Sequence, residues 1–147
     1  MCKGKPMLFR HLTILITVLF ITSAAAQSVN YKSAETIAGA QTQLDYFATG
    51  KKDCSAAPPP SIRVISPPKH GLLTIRRGTM TTNKIPNCPS LQTPANVVFY
   101  TGNAGYKGPD AVIYEITDAK GKVAVYNISL TVKEGQNPDV KLPGQPL

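Results

Sequence analysis

The chain contains no tryptophan, and only 7% of its 147 residues are aromatic. It has two histidines, three cysteines and eight acidic residues, the last set against sixteen lysines and arginines for a net charge of +8. No stretch repeats its apolar residues at helical spacing. Each shortage excludes something. A structural zinc site takes four nitrogen or sulfur ligands, more than so few histidines and cysteines readily supply. The acids Glu35, Asp45, Asp53, Asp110, Glu115, Asp118, Glu134 and Asp139 are scattered singly. They give no sign of the facing carboxylate pair that glycoside cleavage requires. Gly102, Gly105 and Gly108 form a G-x-x-G-x-x-G run. It lies between expected strands and opens no helix, so it reads as a turn device and not as a phosphate cradle.

What is present starts at the N-terminus. Lys3, Lys5 and Arg10 give a positive head. Residues 12–21 are apolar except for Thr13 and Thr17, and Ala24, Ala25 and Ala26 follow. Basic head, apolar middle and small-residue site in this order predict a secretory signal peptide over residues 1–26, cleaved before Gln27. The apolar run is about 10 residues, whereas a spanning helix needs about 20, so no membrane segment is expected after cleavage. Gln27 also stands where a lipoprotein would carry cysteine.

Export changes the inventory. It removes Cys2, His11, and three of the sixteen basic residues but none of the eight acids, so the net charge falls from +8 to +5. Cys54 and Cys88 remain. In an oxidising compartment an isolated pair reads as a disulfide. Zinc would need more ligands than these and His70, and no C-x-x-C redox motif is present. Closing a loop of this length stabilises a fold by about 3–4 kcal/mol in the chain-entropy account.

Along the exported chain, residues 27–39 are polar and small, and are expected to form a flexible lead-in with at most an edge strand near Glu35. From Gln41 the period becomes two, placing Leu44, Tyr46 and Ala48 on one side and Gln43, Asp45 and Phe47 on the other. Pro58, Pro59 and Pro60 mark a connection. Short strands are expected over 61–66 and 72–75. Residues 79–95, with three prolines and Cys88, are expected to form a long loop tied down by the disulfide. Further strands are expected at 96–101, 111–117 and 123–132, the last two joined by a hairpin at Asp118-Ala119-Lys120-Gly121. Residues 134–147 form a polar tail expected to be disordered. The sum is an all-β domain over 40–133, six or seven strands arranged as a Greek-key β-sandwich.

Two blocks carry a family likeness. Pro68-Lys69-His70-Gly71-Leu72-Leu73-Thr74-Ile75 resembles the opening of bacterial cadherin-like and immunoglobulin-like repeats. Val98-Phe99-Tyr100-Thr101 and then Gly105-Tyr106-Lys107-Gly108-Pro109-Asp110-Ala111-Val112-Ile113-Tyr114-Glu115-Ile116-Thr117-Asp118 resemble the same family's later block, and Tyr126 to Val132 its closing strand. Gly102 replaces a usual proline and Val112 a usual phenylalanine. The Cys54–Cys88 pair is not general among the repeats, and suggests a single-copy secreted form of proteobacterial type. The resemblance implies an immunoglobulin-like sandwich in a bacterial envelope or extracellular setting. It would admit calcium only at Asp110 and Asp118. Calcium takes about six to eight oxygens, and turn capping accounts for both aspartates more simply.

His70 alone, with no nucleophile elbow nearby, does not make a catalytic set. The expectation is therefore an exported, non-catalytic binding or structural module without cofactor, periplasmic or extracellular. Its partner would be an envelope protein or polysaccharide, and the compartment argues against nucleic acid. Lys51, Lys52, Lys69, Arg76 and Arg77 are the candidate contacts to an anionic ligand. The alternative is a secreted inhibitor or chaperone-like protein presenting the 79–95 loop. The export reading is checked by N-terminal sequencing of protein recovered outside the cytoplasm, which should begin at Gln27; a chain retaining Met1 would overturn it.

Overall fold

The period-two segments do form strands, and the spacing of their apolar residues decides which side of each is buried. The computed structural model describes Met1 and residues 27–135. The rest of the expected leader, and the expected tail beyond Gly135, lie outside the described residues. Eight strands run in chain order: β1 (Ser28–Ile37), β2 (Gln41–Gly50), β3 (Ala56–Ala57), β4 (Ser61–Ser66), β5 (Gly71–Thr82), β6 (Leu91–Gly102), β7 (Gly108–Thr117) and β8 (Val123–Lys133). No helix occurs among the described residues. One sheet has the order β1-β8-β7-β4 and the other β3-β2-β6-β5. All pairings are antiparallel except that of β1 with β8.

The registers put the turns 38–40, 67–70 and 103–107 at one end of the sheets and 51–60, 83–90 and 118–122 at the other. Between the sheets lie Val98 and Tyr100 from β6, Val112, Tyr114 and Ile116 from β7, and Ile128, Leu130 and Val132 from β8. These are the alternate positions expected to face inward. The Cys54–Cys88 disulfide joins the 51–55 turn to the 83–90 loop. The hairpin turn after β7 closes with Gly121 at φ 78°, a backbone state that a side chain disfavours.

Three expectations need correction. Residues 28–37 are not a loose lead-in but a ten-residue strand paired along its whole length with β8. Its apolar pattern is inverted: Val29, Tyr31 and Ile37 point outward, while Ala34 and buried Thr36 face in. An alternation that shows its apolar residues to solvent carries no core signal. Residues 79–95 are not one long loop. β5 and β6 pair without interruption from Gly71↔Gly102 to Thr82↔Leu91, leaving only 83–90 as connection. Pro94 falls just past the last β2–β6 pair, where only β5 still pairs with it. With the loop reduced to 83–90, the alternative of a long recognition loop loses most of its structural basis. The faces of β2 also differ from simple alternation. A bulge between Gln43 and Asp45 inserts Leu44, so Leu44 and Phe47 both pack on the core.

The bulge delivers a charge to the seam between the sheets. Asp45 is buried, and its carboxylate accepts hydrogen bonds from Lys32 of β1, from Lys84 of the 83–90 loop at 3.2 Å, and from the Tyr46 amide at 2.8 Å. Burial alone would raise its pKa. The Lys32 hydrogen bond, the Tyr46 amide and the Lys84 charge together outweigh burial and hold it below the ordinary 3.8. The unfolded chain therefore takes up the proton first, so this stabilisation is complete above 3.8 and is lost as pH falls through the lower folded value. Urea unfolding followed across the acid range should show stability falling below that pH. In Asp45→Asn the acid limb should be shallower by up to about 1.4 kcal/mol per pH unit, one proton's worth. An unaltered limb would remove Asp45 from this role.

Candidate functional site

The chain passes from one sheet to the other through residues 67–70. Pro67 and Pro68 stop β4 and offer no amide donors. The next two amides, of Lys69 and His70, both reach the Asp110 carboxylate at 2.9 Å. Asp110 lies near the start of β7 and accepts two further donors at 2.9 Å, its neighbour Ala111 N–H and the phenol of Tyr100. Four donors thus occupy its two oxygens. Burial would raise the Asp110 pKa, but the amides of Lys69, Ala111 and His70 and the Tyr100 hydroxyl outweigh it and hold it low. The same burial, with the hydrogen bond to Asp110, pushes the Tyr100 phenol up. Gly71 follows directly. A Cβ there would stand 2.5 Å from the Tyr100 ring and 2.6 Å from the Thr101 carbonyl, so only glycine passes.

His70 does not form a base–carboxylate pair with Asp110, because it is the backbone amide of His70 that engages the carboxylate. Its imidazole stacks on Tyr106 at 4.1 Å and 7° between planes. The Tyr106 hydroxyl in turn donates to the Pro109 carbonyl at 2.7 Å. These groups wall an open cleft of about 450 Å³ between the 67–70 turn and the start of β7, with Lys69 at its rim. Asp118 caps its own turn, accepting the amides of Lys120 and Lys122 at 2.8 and 2.9 Å. Among the described residues, no three histidine, cysteine, aspartate or glutamate side chains converge as a metal site would require. No described helix is long and apolar enough to cross a membrane.

The five candidate cations are not brought into one patch. Lys51 and Lys52 lie on the turn after β2, at the disulfide end. Lys69 lies at the opposite end, and Arg76 and Arg77 lie midway along β5. Arg76 sits over the Phe99 ring at 5.7 Å. None of the five has a carboxylate within ion-pair distance among the described residues, and the same is true of Lys120 and Lys122. The described ion pairs use Lys32, Arg63, Lys84, Lys107 and Lys133 instead.

A feature that sequence reasoning missed lies beside three of these cations. β4 and β5 are edge strands of their sheets, on the same side of the sandwich. Val64 and Ile65 of β4 and Leu72 and Ile75 of β5 are exposed there, Leu72 to 64%. The available signal was the run Leu72-Leu73-Thr74-Ile75 with no Pro or bulge to shield it, followed at once by Arg76-Arg77. Such a run can be an edge or a centre strand, and only the sheet order decides. Tyr106 was also missed; the hydroxyl three residues before Pro109 is a local turn device with little sequence signature.

The Asp110 cluster carries the turn that positions Lys69 and the start of β5. Asp110→Asn replaces an acceptor oxygen with a donor facing other donors. Chemical denaturation should show a loss of about 3 kcal/mol or more; an unchanged midpoint would mean that the crossing does not depend on this carboxylate. No protein-family model, no curated protein and no solved structure matches the chain.

Proposed function

We propose that the chain is an exported, non-catalytic, immunoglobulin-like binding or structural module of the bacterial cell envelope. The observation that carries the reading is how the charged groups are used. Every described carboxylate is engaged, either by a lysine or arginine or by turn and strand donors. Lys51, Lys52, Lys69, Arg76 and Arg77, together with Lys120 and Lys122, have no carboxylate partner among the described residues. The acids are engaged in turn, strand and seam contacts, and what remains available is positive charge beside exposed apolar side chains. That combination suits recognition of an anionic envelope protein or polysaccharide.

The sheet orders support the immunoglobulin-like part of the reading. On this reading β2, β6 and β5 would correspond to strands B, E and D, and β4, β7 and β8 to C, F and G. β1 joins β8 in parallel instead of lying beside β2. The basic leader with its alanine site supports export to the periplasm or beyond.

The reading is tested by immobilising the purified protein over envelope extract and a panel of acidic polysaccharides. Saturable capture that weakens with salt, and falls by about tenfold when Lys69, Arg76 and Arg77 are reversed to glutamate, is the expected result. Absence of capture, together with turnover of an ester, amide or glycoside panel, would overturn it.

A further inference from the structure

The two seams of the sandwich are finished differently. Along β1 and β2, Lys32 reaches Asp45, Thr36 shares a 2.9 Å hydrogen bond with Thr42, and Ala38 bridges to Gly102. Along β4 and β5, no hydrogen bond or ion pair joins the two strands among the described residues. Val64 sits opposite buried Tyr114, and Ile75 opposite buried Val98. Both therefore face the space between the sheets, yet they are 39% and 38% exposed. Core-facing apolar side chains are uncovered because nothing lies beyond the two edges.

We infer that the outer edge of β5 binds an extended, acidic strand of a partner protein, one that carries two adjacent carboxylates and an apolar residue next to them. This rests on the binding-module reading and names its partner class. β5 offers twelve residues of strand paired on one side only. An added strand would take up its free backbone groups and place successive side chains on opposite faces. Arg76, opposite Val97, points to the outer face; Arg77, opposite Asn96, points to the seam. Two neighbouring acids on the added strand would therefore meet one arginine each. An apolar residue beside them would cover Ile75.

Charge decides between the possible occupants. A second copy laid antiparallel on β5 about Arg76 and Arg77 would set four guanidinium groups against one another, and like charges directly opposite are unfavourable. A neutral strand would leave both arginines unanswered. An acidic strand fits the edge and pairs both.

The experiment uses two synthetic peptides of alternating threonine and valine, one with two adjacent glutamates at its centre and one with two lysines. Amide hydrogen exchange is followed on the purified protein. The glutamate peptide should slow exchange in β5 by about tenfold or more while leaving β1 unchanged. Its affinity should fall by about tenfold or more in Arg76→Glu/Arg77→Glu, and that variant should now take the lysine peptide. Unaltered exchange in β7 and β8 would confirm that the variant is folded, and the charge swap keeps the result independent of any loss of affinity through misfolding.

Absence of β5 protection, equal binding of both peptides, or β5 protection arising from self-association without peptide would each overturn the inference. Capture of an acidic polysaccharide by the same arginines, with β5 left unprotected by the glutamate peptide, would overturn the strand inference while leaving the binding module standing.

Discussion

One carboxylate fixes the crossing between the sheets at residues 67–70. A sandwich whose chain crosses from sheet to sheet must satisfy the backbone of the crossing, because buried amides without partners cost about 1–3 kcal/mol each. Here the crossing contains Pro67 and Pro68, which have no amide to satisfy. The two amides that follow are both taken by Asp110. Tyr100 brings β6 to the same acceptor, and Ala111 fixes the carboxylate to its own strand. Turn 67–70, β6 and β7 are thus referred to one point. Gly71 is required because the chain leaves that point against the Tyr100 ring. From it, β5 pairs with β6 without a register shift, and Val98 and Tyr100 fall into the core along with Val112 and Tyr114.

Asp45 does comparable work on the opposite seam, by a different route. Asp110 is satisfied by neutral donors, whereas Asp45 gathers two ammonium groups from separate parts of the chain. Lys84 also lies 3.8 Å from the centre of the Tyr46 ring, so the 83–90 loop is tied to β2 through charge and ring together. Cys88 ties the same loop to the 51–55 turn. Beneath this cluster Tyr114 stacks on Tyr126 at 5.5 Å, with Phe47 edge-on to both. Burial, and then the Asp45 charge, push the Tyr114 phenol up, and its buried hydroxyl has no described protein partner. The described residues carry twelve lysines and arginines against seven aspartates and glutamates, so cations stay in excess however the acids pair.

The legible parts of this fold are those where one face is strongly apolar. Val112, Tyr114 and Ile116, and then Ile128, Leu130 and Val132, alternate cleanly and are buried as their spacing predicts. The disulfide was legible from the cysteine count and the compartment expected from the leader. β1 was not, because its inward positions include Ala34 and Thr36 and its apolar residues face solvent; pairing with β8 overrides a pattern that by itself argues against burial. The outer half of the β5–β6 hairpin was hidden for a related reason. Thr79, Thr81 and Pro94 read as loop residues, yet the hairpin register, once begun at Gly71 and Gly102, continues through them. In β2, one inserted residue exchanged the faces of everything after it, which a count of two cannot anticipate. The candidate cations were legible as charges. Which cations would pair was not, since Lys32 and Lys84, which do, look no different in sequence from Lys51 and Lys52, which do not.

The two arginines of β5 bear on why that edge can remain free at all. A twelve-residue edge strand is a template for pairing with another copy, and natural sheets blunt such edges with charge, proline or bulges. β5 contains no proline and its pairing with β6 has no bulge; charge is the device left to it. β4, by contrast, is short and interrupted by a bulge between Val64 and Ser66. Charge differs from the other two devices in one respect. Proline and bulges refuse every incoming strand, whereas positive charge refuses only a strand that is itself positive. An edge guarded by Arg76 and Arg77 is closed to its own copy about those residues and open to an acidic strand. Protection against self-pairing and selectivity for an acidic partner are then consequences of the same two side chains.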